Sequence, residues 1–197
     1  IADALNLDNR VATEDLAGSR RAATSALARM AHGGQTSLLL ASDCRETRPG
    51  SAQDMLYGHG AAALLVGEGR PVAVFLGSAS RHEDLVDQYR ASDADFDYSL
   101  EERWVREEGY LKIVPEVIEE VAKGAGVSLS DIDHVVLHGS IDTARALAKR
   151  LGIDIKRFAD TLGGKVGDCG VAQPMIMLSK VLAEAGVNER ILVVGFG

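Results

Sequence analysis

The stretch Asp133-His-Val-Val-Leu-His-Gly-Ser140 decides how the chain is read. Val135, Val136 and Leu137 form a short apolar run rich in β-branched residues. Ser128-Leu-Ser-Asp131 precedes it and His138-Gly139 follows at once. This is the pattern of a strand buried on both faces that ends in a loop. Such strands belong to mostly parallel sheets, whose ligands sit beyond the strand carboxyl ends. An imidazole there stands where acid–base chemistry tends to occur, so the other candidates are referred to His138. The bland alternative is a loop histidine with no duty.

Downstream of this strand the spacing predicts a helix over 143–151, a glycine loop at Gly163, Gly164 and Gly167, an apolar helix near 171–185 and a strand over 191–194. Upstream, Leu111, Val114, Ile118 and Val121 place one apolar face on a helix over 110–123, with Pro115 near its start, where proline is tolerated. Residues 78–98 are polar and irregular. Residues 60–66 and 71–76 read as strands, and a hairpin between them is open on sequence alone. Residues 36–42 read as a buried strand and 43–55 as a polar loop. Its Asp43, Arg45 and Arg48 read as solvated, with the edge of a substrate channel as the functional alternative. The stretch from Arg10 to Leu16 is a further candidate strand. After it, Gly18-Ser19 opens a helix to Met30, and Gly33-Gly34 ends it.

A weak repeat is visible. Gly18-Ser19, a small-residue helix, Gly33-Gly34 and a strand match Asp168-Cys169-Gly170, an apolar helix, Gly186 and a strand. Two similar halves would bring two helix N-termini together. Their free N–H groups suit an anion or an oxyanion.

Composition narrows the function classes. At 197 residues the chain suffices for one sizeable domain or two small halves. The core is aliphatic, since aromatics make up only 5%. A net charge of −8 with no basic block argues against a nucleic-acid surface. No apolar run reaches the roughly 18 residues of a membrane span, and no signal peptide opens the chain. Cys44 and Cys169 form neither a disulfide framework nor a metal site, so a reducing cytoplasm is the default expectation. Ile1 in place of an initiator methionine, and an end just after a strand, read as a segment of a longer protein.

Together these residues resemble the thiolase superfamily, in the branch of 3-hydroxy-3-methylglutaryl-CoA synthase and β-ketoacyl synthase III. The resemblance rests on the acid-to-helix run from Asp15 to Leu27, the Gly58-His-Gly-Ala-Ala-Ala-Leu-Leu-Val66 run and the strand-end His138. It rests also on the Gly167-Asp168-Cys169-Gly170 loop and the close at Gly195-Phe-Gly197. It implies an α/β fold of the five-layered α/β/α/β/α thiolase type. The two similar halves would be 1–69 and 70–197, incomplete at both ends, with the 60–66 and 71–76 strands in different halves rather than one hairpin. It implies Claisen- or aldol-type chemistry on a coenzyme A thioester, with no bound cofactor. The implied partners are acyl-CoA, a second copy paired through the 10–16 strand, and in some members a zinc-ribbon/OB-fold protein.

The departures bear on mechanism. The family's nucleophilic cysteine falls on Arg20, with Ser19 beside it, and the family's asparagine falls on Asp168. Arginine cannot attack a thioester, and serine needs an adjacent base. The candidates are His138 as base, Asp168 to orient it, and Ser19 as an alternative nucleophile or plain helix cap. Arg20 is the candidate to bind a carboxylate or enolate oxygen, with Gly170 and Cys169 as further substrate contacts. The first function is an acyl-CoA C–C bond-forming or -cleaving enzyme that works without the usual cysteine. The alternative is a catalytically degenerate subunit that binds acyl-CoA or a partner.

Overall fold

The computed structural model describes residues 1–197. The first regular element is helix α1, Ala22–Gly33, closed by Gly34 in the left-handed conformation. The antiparallel strands β1, Ser37–Cys44, and β2, His59–Val66, follow and pair Ser37 with Val66 through Cys44 with His59. A small hairpin of β3, Gln88–Tyr89, and β4, Tyr98–Ser99, lies in the irregular acidic stretch. One helical turn, α2, Glu102–Trp104, leads into a π-helix, Val105–Ile113, and then into α3, Val114–Ala125. Strand β5, His134–Leu137, is followed by α4, Ile141–Leu151, and the one-turn α5, Gly163–Val166. Helix α6, Gln173–Glu184, precedes β6, Ile191–Val194, which pairs in parallel with β5.

The strand ending at His138 is as its sequence requires. Val135 and Val136 are fully buried and Leu137 nearly so. Ser140 then caps α4, its hydroxyl accepting from the Thr143 N–H at 3.2 Å, so the loop between strand and helix is only three residues long. That short loop holds His138 at the sheet end. On one side of β5, Tyr110, Val114, Ile118, Ala144 and Leu147 pack into one cluster. On the other, Met177 and Val181 of α6 meet Val136. A further cluster joins Ala23 and Ala26 of α1, Leu39 and Ala41 of β1, and Cys169, Ala172 and Met175 at the start of α6. The small residues of α1 permit this close approach of the two central helices.

Two expectations are corrected, and one pairing left open on sequence alone is decided. Residues 10–16 and 71–76 form no strand, because neither finds a neighbouring strand in this chain, and most of their side chains are exposed. The partner of β2 is β1, so the hairpin of 60–66 with 71–76 is absent. The helix expected over 110–123 begins as a π-helix. Pro115 has no N–H to give and its ring crowds the preceding turn, while the Val114 N–H bonds five residues back to Gly109.

Candidate active site

Three segments far apart in sequence meet at the end of β5. Arg20 comes from the turn before α1, His138 from the strand end and Asp168 from the loop before α6. His138 Nε2 lies 2.9 Å from Asp168 Oδ1. Arg20 Nη2 lies 3.3 Å from the same imidazole nitrogen and 3.5 Å from Asp168 Oδ2. Arg20 Nη1 donates to Asp87 Oδ2 at 2.8 Å. An ionised carboxylate only accepts, so the proton on His138 lies on Nε2 and points at Asp168. Arg20 and His138 are then two donors side by side, both directed at one carboxylate.

Asp168 Oδ1 is heavily engaged. Besides His138 it accepts from the Gly170 N–H at 2.8 Å, and Arg45 Nη1 stands 2.9 Å away. The Arg45 contact is a charge contact rather than a hydrogen bond, since that nitrogen lacks bonding geometry to any acceptor. Burial would raise the Asp168 carboxyl. The His138 hydrogen bond and the charges of His138, Arg45 and Arg20 outweigh it and hold the carboxyl well below the usual carboxylate range. Asp168 is therefore a fixed anion and a weak proton acceptor.

Other side chains belong to the cluster and were not legible as such. Arg45, expected in a solvated loop, is only 3% exposed. It reaches Asp97 Oδ2 at 3.1 Å and Gln88 Oε1 at 3.3 Å, and its guanidinium carbon lies 3.2 Å over the Tyr57 ring. Asp87 sits in an acid-rich irregular stretch with nothing to mark it among its neighbours. Tyr110 donates to the His138 carbonyl oxygen at 3.1 Å and stacks on Phe196 with ring centroids 4.2 Å apart. Burial, the largest influence, pushes its phenol well above the usual tyrosine value.

The other candidates fare differently. The Ser19 hydroxyl is exposed, donates to the Gly197 carbonyl at 3.3 Å and accepts from the Arg21 N–H. Its polar contacts include no base. It does not cap α1 either, which starts at Ala22 with Arg21 in the cap position and no side-chain cap bond. Cys169 is fully buried in the core, its thiol facing the Val166 and Gly167 carbonyls, and burial pushes the thiol pKa up. It packs in the core cluster with Ala172 and Met175. At Gly170, φ is +54°, and an added Cβ would lie 2.0 Å from Asp43 Oδ2. That glycine is enclosed by Asp43 and Arg45, and its N–H is spent on Asp168.

The expected pair of open helix N-termini is also corrected. The Val171 N–H is taken by Asp43 Oδ2 at 3.1 Å, and the Ala22 N–H by the Ser19 carbonyl. The chain's own acceptors take these two donors, leaving the Arg20 guanidinium as the cation beside His138. No group of three or more His, Cys, Asp or Glu side chains is arranged to hold a metal ion, and no helix is long and apolar enough to cross a membrane.

Residues 122–197 match the family model described as 3-oxoacyl-[acyl-carrier-protein] synthase III C terminal. The chain is 28% identical over 207 residues to the hydroxymethylglutaryl-CoA synthase of Thermococcus onnurineus, covering all of this chain and 59% of that protein. Its fold matches a variant of OleA from Xanthomonas campestris with a TM-score of 0.80 at 22% identity, covering all of this chain and 64% of that one. It matches a hydroxymethylglutaryl-CoA synthase solved in complex with CoA with a TM-score of 0.77 at 19% identity, covering 96% of this chain and 54% of that one. The chain thus spans under two thirds of the length of these relatives. Its fold is the thiolase-like α/β fold. Within that class the chain resembles the acyl-CoA condensing enzymes of the hydroxymethylglutaryl-CoA synthase and 3-oxoacyl synthase III branch.

Proposed function

We propose that the chain is part of an acyl-CoA-dependent enzyme that makes or breaks a carbon–carbon bond by aldol-type chemistry without a covalent acyl-cysteine. The observation that carries this reading is the convergence of Arg20, His138 and Asp168 from three remote segments onto one partly buried point at a strand end. Buried ionic clusters are poor stabilisers compared with apolar packing, so one at the ligand-binding end of a sheet favours a chemical use. With Asp168 held as an anion, the His138 Nε2–H is spent on that carboxylate and Nε2 has no lone pair to offer. The cluster therefore suits stabilisation of an enolate or thioester oxygen by the unspent N–H groups of Arg20 better than removal of a proton by His138 Nε2. The substrate brought by this reading is a coenzyme A thioester, supported by the relative solved with CoA. The same reading takes 1–69 and 70–197 as two similar halves. It pairs residues 10–16 with a second copy in a homodimer, leaves a zinc-ribbon/OB-fold protein as a further partner, and places the enzyme in the cytoplasm.

A second reading is a subunit that binds acyl-CoA without turnover. It is favoured by the weak basicity of Asp168 and by the helix N–H groups already filled within the chain. Mass spectrometry of the full-length protein after exposure to a panel of acyl-CoA and 3-hydroxyacyl-CoA thioesters separates the two. The enzyme reading expects cleavage or condensation products, no acyl adduct on this chain, and a loss of about 10²–10³-fold in rate on Arg20→Gln. Thioester binding unchanged by His138→Ala, with no product from any thioester, establishes the second reading. An acyl adduct on Ser19 or Cys169 overturns the non-covalent chemistry.

A further inference from the structure

We propose that Arg45 is a positioning residue of this site: it fixes the Asp168 carboxylate against His138 and fastens the 88–99 hairpin beside it. The inference rests on the proposed function for its catalytic meaning, but its geometry is independent of any reaction. Arg45 is the most buried cation of the cluster, 3% exposed against 21% for Arg20. It lies at the end of β1, where the strand delivers its side chain inward beneath the loop before α6. One nitrogen stands 2.9 Å from Asp168 Oδ1. The other spans Gln88 Oε1, in β3, and Asp97 Oδ2, just before β4. The plane lies on the Tyr57 ring, and the Arg45 stem lies against Gly170.

A planar fork can meet all of these partners at once, whereas an ammonium group cannot. The charged and titratable groups around Asp168 come from each packed element: Arg20 before α1, Asp43 from β1 with Arg45 just after it, Tyr110 from the π-helix and Cys169 from the loop before α6. His138 faces it from the end of β5, and Asp87 and Asp97 stand behind the two arginines. Of the two guanidinium groups, Arg45 is the nearer to the carboxylate oxygen that His138 uses, 2.9 Å against 3.5 Å from Arg20 to the opposite oxygen. Removing it frees that oxygen of its nearest full cation and cuts the link from hairpin to site.

The test is the carboxyl titration of Asp168, followed by carbon-13 NMR in the full-length protein, with amide exchange over 88–99. Arg45→Gln is expected to raise the Asp168 midpoint by about one pH unit or more and to speed exchange in the hairpin. Arg45→Lys keeps the charge but cannot span the partners, so it is expected to speed exchange in the hairpin while raising the midpoint less. Asp97→Asn is expected to loosen the hairpin and leave the midpoint in place. An unchanged midpoint in a folded Arg45→Gln protein overturns the proposal. Should that variant not fold, unchanged exchange and an unchanged midpoint in Arg45→Lys overturn it instead. None of these measurements needs turnover, so they stand even if the aldol reading fails. Where activity is present, Arg45→Lys is expected to lower kcat more than it changes KM.

Discussion

Asp168 is the residue on which the site turns. Its carboxylate accepts from His138 and from the Gly170 N–H, stands against Arg45, and keeps the imidazole proton on Nε2. Its depressed pKa has a sign that can be worked out. The unfolded carboxyl titrates near the ordinary value of about 3.9. Its contribution to stability is therefore fully present above about pH 4 and is lost as pH falls through the lower folded value. The melting temperature of the native protein is expected to fall more steeply below about pH 4 than that of Asp168→Asn, which cannot titrate there. Equal slopes in a calorimetric pH series would show that the carboxylate is not held down by its neighbours.

At the scale of the element, the π-helix from Val105 to Ile113 supplies what the sheet alone cannot. Its wider turn carries Tyr110 to the backbone of His138 and lays the ring on Phe196. Gly109 allows this, because an added Cβ there would lie 2.4 Å from Phe196 Cζ. Gly109→Ala is expected to displace Phe196, unstack the pair and destabilise the protein by about 1–3 kcal/mol. Urea denaturation reads the stability, and near-ultraviolet circular dichroism reads the aromatic pair.

For the whole molecule, the β1–β2 ladder is buried on one side only. Leu39 and Ala41 face the α1–α6 cluster, while Leu38, Leu40 and Leu65 face outward and are exposed. The register sets Leu38 opposite Leu65, so the outward apolar side chains adjoin. Contiguous apolar surface of this kind favours association. Leu65→Lys is expected to change the folding free energy by less than about 0.5 kcal/mol, since that side chain makes few core contacts. It is also expected to lower the aggregate fraction seen by light scattering. A large loss of stability would mean that the outer face is packed.

Much of this was legible in the sequence. The alternation of apolar residues with glycine and cap signals marked β5, β6, α1, α4 and α6, because burial on a period of two or 3.6 leaves its mark on adjacent residues. The motif order also set His138, Asp168 and Arg20 apart as candidates. Pairing was not legible: 60–66 was open to a hairpin with 71–76, yet β2 joins β1, a choice made by packing against α6 rather than by local spacing. Nor were Asp87 and Tyr110 legible as site residues, and Arg45 was so only as the less favoured alternative to a solvated loop. A charge in an irregular segment carries no sign of what it faces, since its partners lie tens of residues away. The sequence by itself determined the elements and the residue types at their ends. Only the tertiary structure decided that three acids and two arginines link into one charge network beside one imidazole, because the balance of partly buried charge depends on distances between remote segments that no local pattern encodes.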